Sequence, residues 1–420
     1  MRALSFLQSL DFWSIISLFW YTIIFEIPRY TIGTVIINAT RLWSRTRPPV
    51  KTKFNLSIIL AGHNEAKPLR TCIAALGEQT ILAELGPIEV IVVDDGSTDR
   101  MLDVAMDLQR EGKIDTVLRL EHRGGKSAAV NLGLSACTGD IIVISDIDTT
   151  FDRSAFAELL SYFADPRVGA VSGNLGVRNV NASLITRGQA IEYAIGISLG
   201  RSIQDTLGIL SIVSGAFGAF RFAALEQVGG QDVEVGEDAD LTMKLRRAGW
   251  HIRFAPDAHA LTDVPETVSA LIAQRLRWDR GLITIWLRKF RSVLDPRQST
   301  FRLIDVVALA DVIGFQVLLT LAFPVYCFWL FFYVGDLAGI IINATLIGLM
   351  VLNLLSFAAA AAFRTHSPFR LIIYLPLYTI LQLTLMRVIR IAAIAQELIF
   401  RSSYRDTYVP ARVMSQVEIV

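Results

Sequence analysis

A chain of 420 residues can hold one large domain with additional elements, and a formal net charge of +1 gives no reason to expect a nucleic-acid partner. Three distant cysteines (Cys72, Cys137, Cys327) form neither a CxxC pair nor a disulfide framework, and five scattered histidines lack zinc-ligand spacing, so the chain suits a reducing compartment without structural zinc. Hydrophobic residues make up 53% and the mean hydropathy is +0.47, high for a soluble protein of this size.

In chain order, Leu10–Ile27 is apolar apart from Asp11 and Glu26 and is long enough to span a bilayer. A cleaved signal peptide fits poorly, since the segment is rich in Trp and Phe and lacks a small-residue cleavage site. A shorter apolar patch comes next, at Thr31–Trp43. The basic linker Arg41, Arg45, Arg47, Lys51 and Lys53 then places the succeeding domain on the cytoplasmic side by the positive-inside tendency. From Phe54 to about Arg302 the pattern is that of a soluble α/β domain. LSIILAG, IEVIVVDD, TVLRLEH and DIIVISDID read as strands. The stretches beginning at Asn64, Met101 and Gly124 read as helices. That alternation predicts a mostly parallel sheet, with ligands at the carboxyl ends of its strands. Beyond Leu303, apolar segments at Val306–Val334, Leu337–Phe363 and Leu371–Ile394 are each long enough to span, and a polar tail closes the chain. The expected organisation is 1–50 (spanning helix and basic linker), 51–302 (cytoplasmic domain), 303–400 (membrane region) and 401–420 (tail).

Four polar motifs stand between these segments, together with a lysine-bearing glycine turn. IVVDDGSTD puts Asp94 and Asp95 at a strand end. A plain βα turn has the same composition, but a carboxylate here also accepts hydrogen bonds from a base or a ribose hydroxyl. ISDIDTTFD sets Asp146 and Asp148 two apart. They are either strand-end caps or ligands of a hard divalent cation shared with phosphate oxygens. GGKSAAVN around Lys126 fails the P-loop pattern, because Leu120 stands where the first glycine belongs. Lys126 remains a phosphate or carbonyl contact, or a solvated lysine. GEDADLTMKL opens a helix with Glu237, Asp238 and Asp240. These either complement the helix dipole or include a general base. QRLRW offers Gln274, Arg275, Arg277 and Trp278 as an interfacial anchor, or as cations for a departing diphosphate beside a sugar-stacking ring.

As an ordered set, DDG, DxD, ED and Q-x-x-R-W resemble the membrane-integrated family-two glycosyltransferases: the cellulose, chitin, hyaluronan and poly-N-acetylglucosamine synthases. The resemblance spans roughly Phe54–Trp278. It implies a cytoplasmic GT-A-like, Rossmann-type domain flanked by N- and C-terminal transmembrane helices in a bacterial inner membrane. It also implies a role for each matching residue. Asp94 and Asp95 contact the uridine of a UDP-sugar, helped by His63, Glu65 and Lys126. Asp146 and Asp148 hold Mg2+ or Mn2+ and the diphosphate. Asp238 is the general base, with Glu237 beside it. Gln274, Arg275, Arg277 and Trp278 border the acceptor end and the leaving group, and SGAFGAFR, with Ser214 and Gly215, lies on the acceptor side. The implied partners are the UDP-sugar, a growing polysaccharide and the bilayer. Two departures stand out. No terminal PilZ-like segment is found, and the cellulose synthase gating-loop sequence is not recognisable, with Ser403–Arg412 as a possible substitute. Three spans put that tail outside, while its arginines favour inside. The rivals to a processive polymerase are a transferase adding one sugar to a lipid carrier and a non-catalytic sugar-nucleotide sensor or scaffold.

Overall fold

The computed structural model describes residues 6, 8–28, 31, 33, 35, 54–81, 87–298, 300–361, 369–405 and 409–415. The basic linker lies outside the described residues, as does most of the Thr31–Trp43 patch. The elements in chain order begin with α1 (Phe12–Leu18), β1 (Leu56–Gly62), α2 (Ala66–Gly77), β2 (Ile88–Asp94), α3 (Met101–Arg110), β3 (Thr116–Arg119), α4 (Lys126–Ala136) and β4 (Ile141–Asp146). Next come β5 (Thr150–Phe151), α5 (Ala155–Leu160), β6 (Val168–Val177), α6 (Leu184–Glu192), α7 (Gly200–Thr206), β7 (Phe217–Arg221), α8 (Phe222–Val228), α9 (Glu237–Arg247), β8 (His251–Thr262) and α10 (Val268–Ile283). The C-terminal region holds α11 (Leu303–Val312), α12 (Leu319–Val334), α13 (Ala338–Ala361), α14 (Leu375–Leu383), α15 (Leu385–Phe400) and α16 (Ala411–Met414).

The eight strands form one sheet in the order β3-β2-β1-β4-β7-β6-β8-β5. Its first half, β3-β2-β1-β4, is parallel, as the alternating pattern predicts. The second half is mixed, with β6 and β8 paired parallel. There β7 runs antiparallel to both β4 and β6, and β5 runs antiparallel to β8. FGAFR is too short and glycine-interrupted to reveal its direction by composition. The central strands are β-branched runs buried on both faces, the composition that helices on either side of a sheet demand. One core layer packs Ile58, Leu60, Val92 and Val143 against α2 and α5. The other packs Ile59, Val93, Ile142 and Ile144 against α4 and α9.

Two helical tracts are long and apolar enough to cross a membrane, Leu303–Ala361 and Phe369–Phe400. The first turns back at Gly335, whose φ of +57° suits glycine, between α12 and α13. Both its ends rest on the α/β domain. Asp305 forms a buried ion pair with Arg246 of α9, and Phe357 and Ala360 join the core layer that contains Ala190 and Ile195. The second tract breaks at Thr384 (φ −110°, ψ −83°). Leu371, Leu375 and Tyr378 before the break join the same core, while α15 after it ends with Glu397 bonded to Arg288 and Thr284. Over the expected N-terminal span Leu10–Ile27 the described chain is helical from Phe12 with one interruption at Phe19. α1 closes at Phe19, and Thr22–Glu26 is π-helical. In this segment Tyr21 and Glu26 turn inward to Arg387 of α15.

Candidate active site

The parallel half sets four carboxylates where strands β2 and β4 end. Asp94 is fully buried; its Oδ1 accepts the Ser97 N–H at 2.9 Å, and Arg119 stands 3.4 Å from Oδ2. The Asp95 carboxylate accepts the N–H groups of Gly124 and Gly125, and its carbonyl oxygen meets His63 Nδ1 at 2.8 Å. Burial pushes the Asp95 pKa up, while those two N–H bonds act against the shift. The DDG turn is thereby fastened to the loop that opens α4, and the first residue of α4, Lys126, makes an ion pair with Asp146. Lys126 is thus partly buried and ion-paired rather than solvated.

Asp148 accepts the Thr262 hydroxyl at 3.2 Å, and its backbone oxygen accepts Arg178 Nη1 at 2.7 Å. Burial, and then the neighbouring Asp146 carboxylate, lift the Asp148 pKa to about 6. Glu65 is lifted to about 7 by burial and then by Asp148 and Asp146. Three carboxyls whose fields oppose one another mark a place where positive charge is favourable. Among the described residues, no group of three or more His, Cys, Asp or Glu side chains is arranged to hold a metal by itself. A two-carboxylate site open to phosphate oxygens nevertheless fits Mg2+ or Mn2+, which need only one or two protein carboxylates when a diphosphate completes the shell.

The opposite wall comes from helices and loops. Gly236 adopts φ +101° at the start of α9, a conformation glycine favours. A Cβ on Gly281 of α10 would stand 2.4 Å from the Val235 carbonyl oxygen, so the start of α9 rests against the α10 backbone at a point only glycine permits. The three acids of that first turn then separate by environment. Asp240 is sealed and lies 2.7 Å from Lys289. Glu237 is buried, and burial followed by the Asp238 charge raises its pKa. Asp238 is the accessible one, and it faces Gly215: a Cβ there would lie 2.9 Å from Lys126 Nζ and 3.8 Å from the Asp238 Cβ. Gly215 therefore lies beside both Lys126 and Asp238. The Ser214 N–H is anchored on Ser172 Oγ at 3.2 Å.

On α10, Trp278 is exposed and Arg275 stacks over its ring at 4.4 Å. Arg275 is also paired with Glu192 of α6 at 2.9 Å, which ties α10 to α6. Gln274 Oε1 is buried without a partner among the described residues. The C-terminal tail lies on the same side as the domain. Val409 and Pro410 approach Gly125, and Val409 and Met414 pack on Val235. Residues 406–408 of the expected tail motif lie outside the described residues. Sequence reasoning missed Gly281, Lys289, Glu192, Arg178 and Thr262. Of these only Gly281 carried a signal, as the glycine directly after the QRLRW-DR run.

Both the sequence and the fold resemble known proteins. Residues 57–229 match the profile of Glycosyl transferase family 2. A poly-beta-1,6-N-acetyl-D-glucosamine synthase from Staphylococcus epidermidis is 29% identical over 259 residues, 61% of each chain. Its counterpart from Staphylococcus aureus (strain COL) is 30% identical over 245 residues, 58% of each chain. The chain thus spans about three fifths of the length of the curated relatives it matches. A mannosyltransferase from Pyrobaculum calidifontis, solved with GDP-Man and Mn2+, superposes with a TM-score of 0.62 at 20% identity over 91% of this chain and 99% of its own. That likeness shows a GT-A-like fold. Residues 57–229 thus resemble family-two glycosyltransferases, and the curated proteins that the chain matches are poly-beta-1,6-N-acetyl-D-glucosamine synthases.

Proposed function

We propose that this protein is an inverting, processive transferase that extends a β-linked polysaccharide from a UDP-sugar and passes the product through its apolar helices. The single observation that carries the reading is the arrangement of Lys126, Gly215 and Asp238. The accessible carboxylate of the α9 turn stands across one glycine from the lysine paired with the DxD motif. A sugar held between them has a proton acceptor on one face and cationic contacts on the other.

Asp94 and Asp95 receive the nucleoside, with His63 and Glu65 beside them. Asp146 and Asp148 hold a divalent cation together with the diphosphate oxygens. When bound, that cation supplies charge neutralisation to the diphosphate. Asp238 takes the proton of the acceptor hydroxyl as its oxygen bonds to the anomeric carbon. The bond from that carbon to the diphosphate oxygen breaks, and UDP departs with the electron pair beside Lys126 and Arg277. In-line attack on an α-linked donor yields a β-linkage. The acceptor end is retained by Gln274, whose carbonyl oxygen lacks a partner among the described residues, and by the exposed face of Trp278.

The relatives named as poly-beta-1,6-N-acetyl-D-glucosamine synthases favour UDP-N-acetylglucosamine among the donors, and glucose-type donors fit the same motifs. The two long apolar tracts, each returning to the domain, support a bacterial inner-membrane protein with its site in the cytoplasm. The test uses full-length protein in membranes, a panel of labelled UDP-sugars, UDP release and product sizing. A polymer ladder from one donor, lost in Asp238→Asn, is expected. A lipid carrying one sugar would establish the single-transfer rival, and no UDP release from any donor would leave a sensor or scaffold.

A further inference from the structure

Two polar side chains of the acceptor wall are not used by the mechanism above. Arg201, on α7, sits deep behind the Ser214–Gly215 segment. Its Nη1 donates to Ser172 Oγ at 3.1 Å, the same oxygen that receives the Ser214 N–H. Among the described residues it has no ion-pair partner, and its Nε and Nη2 carry no hydrogen bond yet retain accessible surface. An unpaired guanidinium in such surroundings is costly unless something comes to meet it. Burial presses its pKa below the ordinary guanidinium value, and the charge that most opposes this is Asp238.

Tyr193 is the second. It is 3% exposed, and its hydroxyl has no hydrogen bond among the described residues while keeping accessible surface. Burial pushes its pKa up to about 12, and the charges acting on it include Arg275, Glu192 and Arg201. It begins the π-helical stretch Tyr193–Leu199 between α6 and α7. Such widened turns re-aim side chains and recur at functional sites. A regular α-helix would carry Tyr193 and Arg201 round by a different angle.

We propose that Arg201 and the Tyr193 hydroxyl are acceptor-binding groups, donating hydrogen bonds to hydroxyl or amide oxygens of the terminal sugar and so presenting its nucleophilic oxygen to Asp238. The ligand class is a neutral, oxygen-rich saccharide. The guanidinium is tied to the Ser214–Gly215 segment through Ser172 Oγ, and Gly215 lies beside Asp238. This inference rests on the glycosyltransferase reading of the site.

The test titrates full-length protein in detergent with a labelled β-linked N-acetylglucosamine tetrasaccharide and, separately, with UDP-N-acetylglucosamine. Arg201→Gln should weaken the tetrasaccharide by about tenfold or more, the scale of a lost charged hydrogen bond, with donor affinity held within about twofold. Tyr193→Phe should weaken it by a smaller factor, and Arg201→Lys should recover part of the loss while confirming that the position tolerates change. Unchanged tetrasaccharide affinity in Arg201→Gln, or donor and tetrasaccharide affinities falling together, overturns the proposal. If the wild-type protein binds the donor but no saccharide, the polymerase reading falls, and this inference falls with it.

Discussion

The two sides of the proposed site, a donor wall and an acceptor wall in that reading, are built by different means. On the donor wall, Asp94 and Asp146 sit at the ends of parallel strands that flank β1, so the hydrogen-bonded register of the sheet fixes their positions. On the acceptor wall nothing comparable exists among the described residues. Asp238, Gln274 and Trp278 ride on two helices whose relation depends on a glycine contact between Gly236 and Gly281, an ion pair from Arg275 to Glu192, and another from Lys289 to Asp240. A strand end places a carboxylate through its backbone. A helix pair places it through side chains, and those can be removed one at a time. The two walls should therefore fail separately.

The largest effect is expected on the donor wall. Asp148→Ala should abolish turnover and the metal-dependent part of UDP binding, while the protein stays folded and inserted. Calorimetric UDP titration with and without Mn2+ measures this. Full activity in EDTA would remove the metal from the mechanism. Asp238→Asn addresses the other wall. Turnover should fall by roughly 10²–10⁴-fold, the scale of general acid–base catalysis, with UDP-sugar affinity little changed. Equal losses in binding and turnover would show that the walls are not separable and that Asp238 is a donor ligand or a cap.

A third substitution attacks the scaffold of the acceptor wall alone. Lys289→Met leaves Asp240 a buried carboxylate without its cation, which costs about 3–5 kcal/mol. A lower thermal midpoint is expected, together with loss of transfer, and Lys289→Arg should restore both. Since Lys289 also meets Asp232 and Glu234, the variant loosens the turn that carries Asp238 without touching β2 or β4. If its midpoint matches wild type, the ion pair is not what holds α9.

The same division explains how much of the molecule is legible in its chain. The strands LSIILAG, IEVIVVD and DIIVISD and their terminal acids are legible, because a short β-branched apolar run closed by Asp and Gly has few other solutions. Motif order also points to Asp238 and Trp278. The antiparallel β7 is not legible, since pairing direction is a tertiary property. Neither is the inward turn of Tyr21 and Glu26 towards Arg387, because an apolar run with one late acid reads equally well as a straight span. The pairing of Arg275 with Glu192 is not legible either, since Glu192 lies 83 residues earlier, beyond any local pattern.

The smallest expected effect is at Trp278, and it decides between a polymerase and a single transfer. The ring is 41% exposed and carries Arg275 on one face, which leaves the other to stack on a sugar. Stacking of this kind contributes about 0.5–1.5 kcal/mol, so Trp278→Ala should loosen the acceptor end by roughly two- to tenfold. A loss that modest barely alters one transfer. A processive enzyme repeats the retention step at every addition, so the loss compounds along the chain. Product length should therefore collapse while initial UDP release changes by less than about tenfold. Gel sizing of labelled product beside a UDP-release assay separates the two quantities. If polymer of unchanged length and amount persists, Trp278 anchors α10 at the membrane surface, and the single-transfer reading becomes the better account of the acceptor wall.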